Sequence, residues 1–306
     1  MAFTSALASD LMFPGFNHMF SQNVDFKQYP EEWSQVFMAE NSNRQFEEEN
    51  YISGFGPMPE KPEGEEVAFD DPIMATKKRF THSNFGLAFA VSEEAFEDDL
   101  YGKMAESPRQ LAWSARDVAE VQSADIFING FTDTAANQGP DGEPLFGDGT
   151  TLDHPRLDGG RWSNQLSVAA DLSPDSLELM MTLLEDTVND RGMLARMIGV
   201  DVIVPTELRW TAKKIIGSQK EAFVANNQIN PFHDMDLSFM VWHYLTDPDA
   251  FFVKAQRHYL RLYKRKEPVL KSDYEFKTGN SLFRTTRRFS VGYLNGRGIA
   301  GSPGSN

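Results

Sequence analysis

The segment LFGDGTTLDHPRLDGGRWSN, residues 145–164, is rich in glycine and aspartate, and it is called the glycine-rich segment below. Both residue types favour turns, because glycine adopts positive φ without strain and an aspartate carboxylate accepts hydrogen bonds from nearby backbone N–H groups. Six glycines fall between Gly139 and Gly160. We therefore expect loops and short strands over residues 126–172.

The same region collects acidic side chains and one histidine: Asp133, Asp141, Glu143, Asp148, Asp153 and His154. Carboxylates on a loop can bind Ca²⁺ or a pair of catalytic metal ions. The D-x-D-x-D-G order of an EF-hand loop is absent, and the six histidines form no H-x-x-H pair. We expect turn formation here, with no metal, no cofactor and no catalytic residue. A metal- or carboxylate-dependent hydrolase that uses residues 133–154 is the alternative from the enzyme class.

Regular elements are predicted on the C-terminal side of this segment. Residues 173–175 (Ser-Pro-Asp) are typical of a helix start, and apolar residues follow at helical spacing up to residue 188. Residues 201–205 (DVIVP) predict a buried strand, and residues 206–217 predict a helix. The chain from about residue 249 is mostly of strand type, with the clearest alternation over residues 282–294. The pattern indicates a mixed α+β protein.

On the N-terminal side, residues 65–91 predict a long β-hairpin because apolar residues alternate along both arms. Its tip would carry Lys77, Lys78 and Arg79. Residues 93–125 predict one long, kinked helix that starts after Ser92. The hairpin and the helix would be the largest local elements of this half of the chain.

Residues 1–92 carry many aromatic side chains but little periodicity apart from a short helix over about residues 30–40. Disordered segments are poor in aromatics, so these side chains need a surface to bury against. The arm either wraps its own chain or reaches a neighbouring copy, and the second option would make this an assembly protein. The candidate inter-subunit contacts are Phe13, Phe16, Phe20, Trp33, Phe37, Lys77, Lys78 and Arg79.

Composition excludes several classes of protein. The 306 residues include no cysteine, which rules out a disulfide scaffold and thiol catalysis, and no apolar run approaches the length of a membrane span. We therefore expect a soluble intracellular protein without a membrane partner. The formal net charge is −16, although residues 254–297 carry +9. Because a nucleic-acid-binding protein is normally basic, we expect weak, non-specific DNA binding at most.

The segment RFSVGYLNGRGIAGS, residues 288–302, is called the C-terminal segment below. It contains a G-x-G-x-x-G pattern, but only five residues follow Gly301, so no helix and second strand of a dinucleotide site can follow. We expect a flexible tail there. The glycine-rich and C-terminal segments together resemble the major capsid (major head) subunits of Mu-like tailed bacteriophages, and the order of elements over most of residues 65–302 is similar too.

The resemblance implies the Hong Kong 97 capsid fold, an α+β fold with named parts. Residues 1–64 would be the N-terminal arm and 65–91 the extended loop that lies over a neighbour. Residues 92–196 would form the peripheral domain with the spine helix 93–125, and 197–262 the axial domain. Residues 263–306 would hold the returning strands and the tail.

The function that the resemblance implies is structural. Copies would self-assemble into hexamers and pentamers of an icosahedral head around double-stranded DNA, in the host bacterial cytoplasm. A portal and a decoration protein are expected partners. A separate scaffolding protein is expected as well, because the chain has no long heptad-patterned N-terminal segment. The alternative with the same fold is the shell of an encapsulin-like nanocompartment.

Overall fold

The computed structural model describes residues 6–24, 30–92, 94–95, 98, 106–134, 137–220, 229–275 and 277–305. The helices are α1 (Ala6–Val24), α2 (Trp33–Val36), α3 (Glu106–Ile128), α4 (Pro174–Glu185) and α5 (Arg209–Gly217). The strands are β1 (Met38–Asn41), β2 (Phe46–Ile52), β3 (Met74–Thr81), β4 (Ser83–Val91), β5 (His154–Pro155), β6 (Arg161–Trp162), β7 (Gly199–Val204), β8 (Ser238–Val241), β9 (Phe251–Ala255), β10 (Leu260–Lys266), β11 (Lys271–Glu275), β12 (Asn280–Tyr293) and β13 (Ile299–Ser302). The predicted α+β class is confirmed.

The chain divides into two compact units. The first comprises Met1–Glu47, Phe80–Ser123 and Leu262–Val291, and the second comprises Glu48–Arg79, Ala124–Arg261 and Gly292–Asn306. None of the described helices is long and apolar enough to cross a membrane.

The first unit is built on a five-stranded sheet in the order β1-β10-β12-β11, with β4 paired to β12. Phe283 of β12 lies opposite Phe89 of β4 in the antiparallel register, and their rings stack with centroids 5.1 Å apart. Phe16 of α1 packs on the same Phe283 ring at 5.1 Å. Leu111 of α3 and Leu270 complete this core. One face of the sheet is therefore covered by α1 and α3.

The second unit holds a four-stranded sheet in the order β13-β9-β7-β8, in which only the β7–β8 pair is parallel. Ser173 caps α4 as predicted, since its side chain accepts the N–H of Ser176. Met180 and Met181 of α4 are buried in the core of this unit, as their helical spacing indicates. The predictions of α4, α5, β7 and β12 are confirmed within a few residues.

The predicted hairpin over residues 65–91 is wrong. Strand β3 pairs instead with β2, and β4 pairs with β12. The alternation in β4 is real, but its apolar face is buried by the sheet of the first unit rather than by a hairpin partner. Residues 53–73 connect β2 to β3 without strand structure, and they contain four prolines, which interrupt ladder hydrogen bonding.

Two helix predictions also change. The helix predicted over residues 30–40 is only α2, and strand β1 follows it directly. Within the described residues the long helix begins at Glu106, and most of residues 93–105 lie outside the described part of the chain.

The flexible tail predicted at the C-terminal segment is wrong. Residues 299–302 form β13, which is fully buried and pairs with β9. Gly298 has φ +85°, and a Cβ there would lie 2.1 Å from the carbonyl oxygen of Arg257. The glycines of this segment therefore permit close backbone packing.

Candidate assembly surface

The glycine-rich and C-terminal segments meet at the side chain of Asn164, which is 1% exposed. Its Nδ2 donates to the carbonyl oxygens of Leu145 at 2.9 Å, Gly296 at 3.1 Å and Ile299 at 3.0 Å. Its Oδ1 accepts the N–H of Gly147 at 2.7 Å. Both segments that carry the resemblance are therefore joined by one buried amide, and their shared role is structural.

A second buried polar network lies beside this junction. His154 Nδ1 is 2.7 Å from Asp141 Oδ2, and the His154 ring stacks on Trp162 with centroids 4.4 Å apart. The guanidinium of Arg297 also lies over Trp162, 4.6 Å from the centroid of its ring. Both terminal nitrogens of Arg297 donate to the carboxylate of Asp190. Because Arg297 and Asp190 are both buried, removing either would leave an uncompensated charge.

The acidic side chains of the loop mostly stabilise turns. Asp148 accepts the backbone N–H groups of Thr150, Thr151 and Leu152 at 2.8 to 2.9 Å. These hydrogen bonds, of which the one from Leu152 has the largest effect, hold the pKa of the Asp148 carboxyl well below its usual range. Across the described ranges, no three histidine or acidic residues are grouped so as to hold a metal ion. The geometry offers no observation in favour of the hydrolase alternative.

The aromatic side chains of the arm have a core in their own chain, contrary to the premise that favoured a neighbour. Phe16, Phe20, Trp33 and Phe37 are buried, and Phe13 packs against the same core as Phe16 and Phe20. These side chains are buried within the first unit in this structure. Packing of the arm against its own chain, the first of the two options that the sequence left open, therefore accounts for their burial.

The α2 turn is anchored in the first unit by a side chain that the sequence did not single out. The carboxylate of Glu120 on α3 accepts the N–H groups of Glu32 at 2.5 Å and Trp33 at 3.0 Å. The ammonium of Lys264 lies 5.2 Å from the Trp33 ring. No local sequence pattern links residues 88 positions apart, so this contact could not be predicted.

The three basic residues predicted at a hairpin tip lie within β3 instead. Lys77 Nζ is 2.7 Å and Arg79 Nη2 is 2.5 Å from the carboxylate of Glu48 on β2. Hydrogen bonds from Lys77 and Arg79 lower the pKa of Glu48. Lys78 donates to the carbonyl oxygen of Gln138 at 3.4 Å, and burial lowers the pKa of its ammonium. Two of the three charges are thus paired within the β2–β3 ribbon.

The connection between β2 and β3 exposes apolar side chains and carries most of the charge of the ribbon. We call residues 53–73 the acidic loop, because they contain six acidic residues and one lysine. Met58 and Phe69 are 96% and 98% exposed, and Phe55, Val67 and Ile73 are exposed as well. This concentration of exposed apolar side chains in one connection makes it the candidate contact surface of the second unit. The sequence displays these residues among prolines and glutamates, but the hairpin prediction divided them between two elements.

The acidic loop is held at both of its ends within the second unit. Asp70 Oδ2 accepts the N–H of Gly56 at 2.7 Å, and Arg191 Nη2 lies 3.4 Å from Asp70 Oδ1. At the base, Arg261 binds Glu49 of β2 at 3.2 Å. These contacts are polar, so they stabilise the loop without covering its apolar side chains.

Comparison with known protein families places the chain among the phage capsid proteins. The sequence profile described as phage capsid protein matches residues 76–301. The chain belongs to this phage capsid protein family, and it is a major capsid protein of the tailed-phage type. Its function is structural, its place is the capsid of a virion, and its copies assemble into shells.

Solved structures share the fold at low sequence identity. A structure of Microbacterium phage Oxtober96 is 10% identical with a TM-score of 0.56, over 90% of this chain and 92% of that one. The bacteriophage JBD30 capsid is 16% identical with a TM-score of 0.55, over 72% and 94%. The holo-SrpI encapsulin complex from Synechococcus elongatus is 9% identical with a TM-score of 0.51, over 92% and 89%. No curated protein matches the sequence.

Proposed function

We propose that copies of this chain form the hexamers and pentamers of an icosahedral tailed-phage head that encloses double-stranded DNA. The acidic loop then lies over a neighbouring subunit, residues 197–262 form the axial domain, and residues 92–196 with 263–306 form the peripheral domain. A scaffolding protein, a portal and a decoration protein act on the assembled subunits, and assembly takes place in the host cytoplasm. In this proposal the arm belongs to its own subunit, because its aromatic side chains are already buried.

The observation that carries the proposal is the exposure of the acidic loop. Five large apolar side chains in 21 residues face solvent in the single chain. Removal of apolar area from water is favourable by ~25 cal/mol per Å² before the costs of association are subtracted, so exposed side chains of this kind favour association. Burial against a second copy accounts for these side chains without a further protein.

The charge of the chain supports weak contact with the packaged DNA. The net charge of −16 opposes binding to a polyanion, and only residues 254–297 offset it. A shell that bound DNA tightly along its inner surface would need a basic lining. We expect the genome to be enclosed rather than bound at specific sites.

The proposal is tested by replacing the exposed apolar residues of the loop. A variant with Met58→Ser and Phe69→Ser should remain folded, because both side chains are almost fully exposed. Sedimentation velocity and negative-stain microscopy should show shells for the wild type and mainly unassembled subunits for the variant. Shells of normal yield and stability in the variant would overturn the role of the loop.

A matched control has the same chemistry at a different place. Val168 and Leu179 are 75% and 60% exposed and lie outside the loop. Their double replacement by serine should reduce assembly less than the loop variant does. The likeness to an encapsulin structure is the reason for the nanocompartment alternative. If the chain is expressed together with the genome that encodes it, particles that contain a packaged protein and no DNA would favour that alternative.

A further inference from the structure

The five-stranded sheet of the first unit has one covered face and one open face. Phe283 and Arg287 of β12 face the core and α3, since Phe283 packs on Phe16 and Arg287 donates to the carbonyl oxygen of Ala115. Side chains alternate along a strand, so Arg284, Thr286 and Arg288 belong to the other face. On that face Ala88 and Arg284 are exposed.

The open face carries a row of cations. The register places Lys271 of β11 directly opposite Arg284 of β12, and Arg284 directly opposite Ala88 of β4. Lys266 reaches the same face, because its Nζ donates to Thr286 Oγ1. We call Lys266, Lys271, Arg284 and Arg288 the basic strip. Asp273 and Glu275, two and four residues along β11 from Lys271, also belong to this face, so the four cations and two carboxylates leave a net charge of +2.

The central pair of the strip forms no ion pair within the described residues. Lys271 and Arg284 are like charges on directly opposite positions, an arrangement that destabilises a sheet unless an anion lies nearby. No carboxylate of the described part of the chain forms an ion pair with either of them. Next to them, Gly86, Ala88 and Ala90 expose a flat surface of small residues.

The acidic loop has the complementary chemistry. It combines six carboxylates with exposed Val67 and Phe69, while the strip combines cations with a shallow apolar floor. We infer that the basic strip of one subunit is the docking surface for the acidic loop of a second copy. The carboxylates of Glu65, Glu66 or Asp71 then neutralise Lys271 and Arg284, and Phe69 covers the small residues of β4. The inference rests on the proposed function and adds the surface that receives the loop.

Charge complementarity favours the acidic loop over the other polyanion available to a shell, which is DNA. Phosphates would neutralise the cations, but they would leave the exposed apolar residues of the loop uncovered. Specificity between copies also benefits, because like-charge contacts elsewhere on an acidic surface disfavour wrong pairings. The experiment must therefore distinguish docking of the acidic loop on the strip from binding of DNA to the strip.

Cysteine cross-linking tests the contact, because the wild-type chain has no cysteine. The variant with Val67→Cys and Ala88→Cys should assemble, because both side chains are exposed and each substitution changes the side-chain volume only slightly. A bifunctional maleimide added to the particles should give a ladder of covalent multimers on a denaturing gel. The control pair Val67→Cys with Leu179→Cys should give little ladder. Normal particles without a ladder would overturn the inference while leaving the proposed function intact.

Charge reversal gives an independent measurement. Lys271→Glu with Arg284→Glu should raise the concentration needed for assembly about tenfold, because two interface charges at ~0.5–1 kcal/mol each correspond to such a factor. Adding Glu65→Lys and Glu66→Lys should restore assembly toward the wild-type threshold. Reversal of Arg257, which is exposed outside the strip, is the control. An unchanged threshold with weaker duplex binding would assign the strip to DNA, and failure of the wild type to assemble would refute the proposed function instead.

Discussion

Replacing Asn164 by alanine is the substitution whose cost the structure defines best. The amide nitrogen has two hydrogens for three carbonyl oxygens at 2.9 to 3.1 Å, and its oxygen accepts one N–H at 2.7 Å. Three full hydrogen bonds at about 1 kcal/mol each give a loss of about 3 kcal/mol, and the buried partners left unsatisfied raise it further. We expect Asn164→Ala to lower the free energy of unfolding by about 3–4 kcal/mol.

The assay is urea unfolding of the unassembled subunit, combined with hydrogen exchange read by mass spectrometry. Protection should fall in the glycine-rich and C-terminal segments together, because the same amide joins them. Asn164→Asp should be at least as costly at neutral pH, since a carboxylate oxygen would face carbonyl oxygens. Asn43 is exposed, and its replacement by alanine is the control. A loss below about 1 kcal/mol for Asn164→Ala would refute the reasoning, because that is the expected size of a single hydrogen bond.

Three further predictions use paired variants. Phe20→Ala should destabilise the unassembled subunit by about 3–5 kcal/mol, whereas Phe69→Ala should leave its unfolding midpoint unchanged, because Phe20 is 1% and Phe69 98% exposed; equal effects in urea would contradict the assignment of the arm to the core. Burial, and after it the charge of Lys254, lowers the pKa of His258 to about 4. Below about pH 6.5 the unfolded state therefore binds a proton at His258 while the folded state stays neutral, so the free energy of unfolding should fall as the pH drops from about 6.5 to 4. The fall should be smaller in His258→Gln. Gly298→Ala should reduce the melting temperature far more than Gly142→Ala. Both glycines have positive φ, but only at Gly298 would the added Cβ meet backbone atoms. Similar shifts of the melting temperature would show that the C-terminal segment is not packed as described.

Local patterns of sequence were sufficient for much of the regular structure. The Ser-Pro-Asp start and the apolar period of α4, the apolar run of β7 and the alternation of β12 each specify an element without tertiary information. The two short segments that carry the family resemblance also indicated the fold as a whole. Their physical meaning, a junction at Asn164, appears only when residues more than 130 positions apart are brought together.

Strand pairing and the fate of the arm could not be predicted in this way. The alternation in β4 fits any apolar partner, and the sequence does not distinguish β3 from β12. Likewise, Phe20 and Phe69 are the same residue type in segments of weak periodicity, yet one is buried by α3 and the sheet and the other is exposed. Burial depends on long-range packing, so residue type alone did not separate the buried aromatic side chains of this region from the exposed ones.

Electron cryo-microscopy of the assembled particles tests the central claim most directly. The claim is that this chain builds a closed icosahedral shell in which the acidic loop of each subunit lies on a neighbour. A reconstruction should show pentamers and hexamers of this chain, with density for residues 53–73 over the open sheet face of the adjacent subunit. A small closed oligomer at every concentration, or shells in which residues 53–73 contact only their own chain, would contradict it.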